Sequence, residues 1–103
     1  MRSKQTGESD VQQALEREGC AVSRWSNGAG AVYGVHDHPY HKVLVVTGGS
    51  ITFTVGRQRQ QVAMRSGDRL ELPAGTPHSA VVGPEGVVCI EGQRASSPGR
   101  RQP

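Results

Sequence analysis

His36 and His38 stand one residue apart, and His78 follows a turn that carries Pro73 and Gly75. Neutral imidazole is the commonest protein ligand for divalent first-row metals. On a strand, residues i and i+2 share a face, so an H-x-H pair offers two nitrogens to one point in space. A third histidine from another strand would complete a three-nitrogen set, with coordination positions left for water or substrate. The candidate metal ligands are therefore His36, His38 and His78. His41 is a candidate fourth, but it alternates with His36, His38 and Lys42 unless a bulge near Pro39 shifts the register. Lys42 and Tyr40 fall beside the histidines as candidate substrate-pocket residues, one offering an ammonium and the other a phenol. Tyr33 also flanks the set, although such tyrosines more often wall a barrel.

These side chains need rigid elements behind them. Ser9 and Gln12 fit a capping box, Val11, Ala14 and Leu15 share a helical stripe, and Gly19 is a stop signal. They predict a short helix over 9–18, either a lid packed on a sheet or a dimer contact. From Cys20 onward, short apolar runs are cut by turn residues. Strands are predicted at 20–25, 31–36, 42–47, 50–56, 60–64, 68–72, 77–82 and 87–91. The breaks carry turn chemistry, as in Thr47-Gly48-Gly49, Ser66-Gly67-Asp68 and Gly83-Pro84-Glu85-Gly86. Ile51, Phe53 and Val55 alternate with Thr52 and Thr54, and Leu70 and Leu72 oppose Arg69 and Glu71, which places Glu71 on a solvent face. Eight short strands at near-regular spacing argue for an all-β sandwich or barrel.

Composition bounds the rest. A chain of 103 residues is one domain, and with 34% hydrophobic residues its core must be rich in Val, Leu and Ile. No apolar run approaches the roughly 18 residues of a membrane span, and no apolar stretch follows the polar N-terminus as a secretory signal would require. The expected location is cytoplasmic. Cys20 and Cys89 lack C-x-x-C spacing and read as small buried thiols. The net charge of +3 is concentrated toward the ends, in Arg2, Lys4, Arg94, Arg100 and Arg101. Without interleaved aromatics, this argues for solvated tails and against a nucleic acid partner. Trp25 reads as a packing residue or a dimer contact.

Gly34-x-His36-x-His38-x3-Lys42-x6-Gly49 resembles the first motif of the cupins, in which a glutamate usually stands where Lys42 does. Gly67-x5-Pro73-x-Gly75-x2-His78 matches the second cupin motif without a gap. The resemblance covers about residues 20–92. It implies an all-β jelly-roll β-barrel with a short N-terminal helix, a homodimer, and a divalent transition metal (Fe, Mn, Ni, Cu or Zn) held by the three histidines. The chain then divides into a disordered tail at 1–8, one cupin domain at 9–92 and a disordered basic tail at 93–103. A small-molecule ligand is the expected partner.

Lys42 divides the functional reading. A protonated ammonium has no lone pair for a metal, and the missing carboxylate removes a compensating negative charge. Two outcomes differ in kind. Either three neutral histidines hold an ion for oxygenase or isomerase chemistry, or Lys42 replaces the ion's charge in a metal-free pocket that binds a small anion as a non-catalytic sensor module. A third reading is an interaction protein whose site has decayed.

Overall fold

In the computed structural model, which describes residues 7–95, the chain begins with a helix, α1 (Glu8–Arg17). Its N-cap is Gly7, which makes no side-chain capping bond, so the capping box expected from Ser9 and Gln12 does not form. The helix starts earlier and places Ser9 inside the first turn, where its Oγ accepts from Gln13 Nε2 at 3.4 Å. Glu8 and Asp10 in the first turn and Arg17 in the last suit the helix dipole. Gly19 follows at φ 88°, a left-handed conformation that glycine adopts at little cost. Leu15 is buried among Cys20, Val43, Val45 and Ile90, with Val11 and Val22 packed alongside. Burying one such leucine is worth about 2 kcal/mol. The helix is thus a cover on the outer face of the sheet.

Six strands follow: β1 (Ala21–Asn27), β2 (Val32–His36), β3 (Tyr40–Val55), β4 (Gln60–Arg65), β5 (Arg69–Leu72) and β6 (His78–Ala95). All pairings are antiparallel. Two long strands, β3 and β6, pair along their whole length, and each half recruits a different neighbour. β3 pairs with β5 through Lys42–Val45 and with β4 through Ser50–Val55. β6 pairs with β2 near its start and with β1 near its end. This is an all-β jelly roll with an N-terminal helix.

The eight strands expected from sequence become six because two sets of turn residues form bulges rather than chain reversals. Thr47 is an extra residue between the Val46–Cys89 and Gly48–Val88 pairs, and the segment 83–86 stands opposite Ser50. The first bulge inverts the side-chain parity of β3. Leu44 and Val46 point into the barrel before it, Ile51 and Phe53 after it, meeting Met64, Leu72, Val82 and Cys89. Val43 and Val45 face α1 instead, which is why 42–46 is buried on both sides.

β6 also runs past the boundary expected at 92, since Gln93, Arg94 and Ala95 pair with Lys42, His41 and Tyr40. A tail beginning at 93 is corrected to that extent, because the β3 edge continues to offer backbone partners. Glu8 likewise belongs to α1. The remainder of both expected tails, 1–6 and 96–103, lies outside the described residues. Cys20 and Cys89 are free and buried, and burial pushes the Cys89 thiol up to about 12. Among the described residues, no helix is long and apolar enough to cross a membrane.

Candidate metal centre

The turn between β5 and β6 delivers His78. Gly75 takes φ 81° there, and its N–H donates to the His38 carbonyl at 2.8 Å. One hydrogen bond therefore ties the second motif to the first. His36 ends β2 and is the cross-strand partner of His78. His38 lies beyond the end of β2, in the connection to β3. Strand alternation, the expected reason for His36 and His38 to converge, thus does not reach His38; the Gly75 tie holds its backbone instead.

Each of His36, His38 and His78 offers one ring nitrogen, and these nitrogens lie within 4.8 Å of one another. The ring centroids are 4.4 Å apart for His36–His78, 4.9 Å for His36–His38 and 5.4 Å for His38–His78. Hydrogen bonds set the tautomers. Nδ1–H of His36 donates to Gly34 O at 2.7 Å, and that of His78 donates to Thr76 O at 2.9 Å. Nε2 then carries the lone pair in both rings, the arrangement metal-ligating histidines use. Ligand bonds of about 2.1 Å would set the three nitrogens roughly 3–3.5 Å apart, so the cluster fits a first-row divalent ion after closing by about 1 Å.

His38 is held differently. Its Nε2 accepts from Lys42 Nζ at 3.1 Å, and its Nδ1–H reaches Tyr40 Oη at 3.0 Å. Lys42 is also 3.6 Å from Glu91 Oε1. That carboxylate is buried: Trp25 Nε1 donates to Oε1 at 2.9 Å, and Gln93 Nε2 donates to Oε2 at 2.6 Å. Sequence reasoning missed Glu91. A signal was present, since Val87, Cys89 and Glu91 alternate onto one face and Val87 and Cys89 are core residues.

The polar cluster lies at a cavity of about 300 Å³ whose other walls are Trp25, Tyr33, Leu44, Phe53 and Ala80. Lys42 is among the residues that line it. Tyr40, expected there, is not: its ring stacks against His38 with centroids 4.9 Å apart, because the phenol is engaged on Nδ1. Tyr33 takes the wall position instead, accepting a bond from Asn27 Nδ2. Trp25, read as a packing or dimer residue, turns into the barrel, 5.7 Å from Tyr33. His41 does not join the cluster. Its Nε2 meets Glu71 Oε1 at 3.0 Å on the outer face, the alternate-parity side, so the expectation of a fourth ligand is corrected. Glu71 is exposed, and bonds from Arg69 and His41 hold its carboxyl below the ordinary range.

Burial pushes both His38 and His78 below the ordinary imidazole value of 6.5, with Lys42 and the neighbouring histidines adding to the effect. Both rings are therefore neutral at pH 7 and able to ligate. A linkage follows. The unfolded chain protonates these residues near 6.5 and the folded chain only at lower pH, so stability is complete above 6.5 and declines as pH falls through that value. The urea midpoint of ion-free protein should be flat from about pH 8 to 7 and fall below 6.5. His78→Gln should flatten that fall; an unchanged slope would contradict the assignment.

A family model described as "Cupin domain" matches residues 24–91. The chain is a cupin. No match was found among curated protein sequences. Solved structures give the same fold at low identity. DMSP lyase DddQ from Ruegeria pomeroyi DSS-3 is 21% identical with a TM-score of 0.68, over 73% of this cupin and 38% of the lyase chain. KdgF from Halomonas sp. is 21% identical with a TM-score of 0.60, over 71% and 67% of the two chains. The Cnp3 cupin domain of Schizosaccharomyces pombe is 21% identical with a TM-score of 0.68, over 78% and 58%. The cupin thus spans well under half the length of the lyase.

Proposed function

We propose that this cupin binds a divalent transition metal, one of Fe, Mn, Ni, Cu or Zn, through His36, His38 and His78, and acts on a small organic molecule as an oxygenase or isomerase. The observation that carries the reading is the shared tautomer. Gly34 and Thr76 fix Nδ1–H of two rings and leave their Nε2 lone pairs free, Tyr40 faces Nδ1 of the third, whose Nε2 meets Lys42, and one nitrogen of each ring lies within 4.8 Å of the others. Such an ion, when bound, polarises an oxygen of a bound molecule or of water. The chain's own residues do the rest. His36 is exposed beside the cavity while His78 is buried, so the approach for a ligand lies along the His36 side. Trp25, Tyr33, Leu44 and Phe53 present apolar surface to the body of that ligand and exclude water from it. The cavity of about 300 Å³ sits at the small end of ligand sites. A homodimer in the cytoplasm remains part of the proposal, resting on the motif resemblance and on composition.

The alternative, a metal-free pocket in which Lys42 attracts an anion, is weakened by Glu91. At 3.6 Å the carboxylate offsets the ammonium, so the pair presents little net charge to a ligand. The test is metal analysis of protein purified without an affinity tag or chelator, followed by addition of each of the five ions. Near-stoichiometric metal in the wild type, reduced in His36→Ala, is the expected result. Absence of metal with no uptake of any ion would refute the reading.

A further inference from the structure

Lys42 and Glu91 form a buried pair that the metal-site reading leaves unused. Nε2 of His38 has one lone pair, and Lys42 Nζ uses it at 3.1 Å. An ion and the ammonium cannot share that nitrogen, and a divalent charge beside an ammonium in a half-buried cavity is repelled. The displaced ammonium has a prepared destination. Glu91 Oε1 is 3.6 Å from it, and Trp25 and Gln93 each donate to this carboxylate, at 2.9 and 2.6 Å, so it is fixed in place. A movement of about 1 Å would turn the contact into a direct charge-assisted hydrogen bond.

We infer that Lys42 is a built-in competitor for the third ligand position, which it holds on His38 until an ion arrives, and that Glu91 is the acceptor onto which it then withdraws. The inference rests on the metal-site reading. The pair thus sets the affinity of the centre without touching the metal: Lys42 weakens binding and Glu91 limits that weakening. Loss of Lys42 frees the His38 lone pair and removes the repulsion. Loss of Glu91 strands the ammonium beside the histidines.

The test is titration of the full chain with Co²⁺, comparing wild type, Lys42→Met, Glu91→Gln, the double variant and His36→Ala. Lys42→Met should bind at least about tenfold more tightly than wild type, the scale on which groups around a metal site act. Glu91→Gln should bind more weakly than wild type. The double variant, which removes both buried charges and so preserves folding if either single change disturbs it, should still bind more tightly than wild type. Nitrogen NMR of His38 in ion-free protein should show Nε2 as acceptor in the wild type and a changed Nε2 signal in Lys42→Met. Equal or weaker binding by both Lys42→Met and the double variant, with binding still dependent on His36, would overturn this inference and leave the metal site standing. No binding by wild type, Lys42→Met or the double variant would overturn both.

Discussion

Removing the His78 imidazole should lower the affinity for divalent metal by more than about a hundredfold, the largest functional loss expected from any single histidine. Groups that merely orient a ligand are worth about 10–100-fold in metal affinity, and His78 is itself a proposed ligand. It is the buried member of the cluster, 4% exposed, while His36 is exposed. Its ring is fixed by the bond to Thr76 O and by a backbone that leaves the rigid Pro73–Pro77 turn. A buried ligand on a rigid mount cannot be replaced by a neighbouring side chain, whereas water can stand in at the exposed His36 position. The order of loss should therefore be His78→Ala beyond His36→Ala, read by titration with Co²⁺. Equal affinity of His78→Ala and wild type would place the ion elsewhere and defeat the proposed site.

Gly49→Ala should cost about 2–4 kcal/mol of stability, a large part of the roughly 5–15 kcal/mol available to a domain. Two terms add. Gly49 sits at φ 70°, where a side chain costs about 1 kcal/mol. A Cβ there would also stand 1.9 Å from the backbone oxygen of Gly86 and 2.7 Å from its carbonyl carbon. Backbone cannot swing aside as a side-chain tip can, so β3 and β6 would have to separate at the bulge that lets them bend, and overpacking of that kind costs about 1–3 kcal/mol or more. Gly48→Ala is the control. Its Cβ would meet Val88 at 3.6 Å, an ordinary contact, so the change should cost under about 1 kcal/mol. Urea denaturation of the two variants measures the contrast, and similar midpoints would contradict the account.

Much of the architecture could be read from short-range signals. Alternation at Ile51, Phe53 and Val55 and at Leu70 and Leu72 places one face of each strand inward, because the period of a strand is a local property of the backbone. Gly67, Pro73, Gly75 and His78 fall at the spacing of a cupin motif, and the family match over 24–91 agrees with it. The three histidines were identifiable from residue type and spacing for the same reason. The helix was placed within a residue or so, although its cap was misassigned: Ser9 and Gln12 satisfy the pattern but lie inside the first turn.

What the chain by itself determined is thus the strand pattern, the helix and the identity of the residues that gather. Three matters were decided only by tertiary structure. Turn residues at Thr47-Gly48-Gly49 and at 83–86 became bulges, because a continuous partner on the facing strand can carry the backbone through a bend. His38 reached the cluster from a loop, held by the Gly75 N–H from a segment distant in sequence. Above all, Glu91 became the partner of Lys42, set on β6 opposite Leu44 of β3. No spacing rule connects positions on two strands whose register depends on bulges between them. A buried lysine needs a compensating charge, but which carboxylate supplies it follows from how those strands pair, and that is a property of the folded barrel alone.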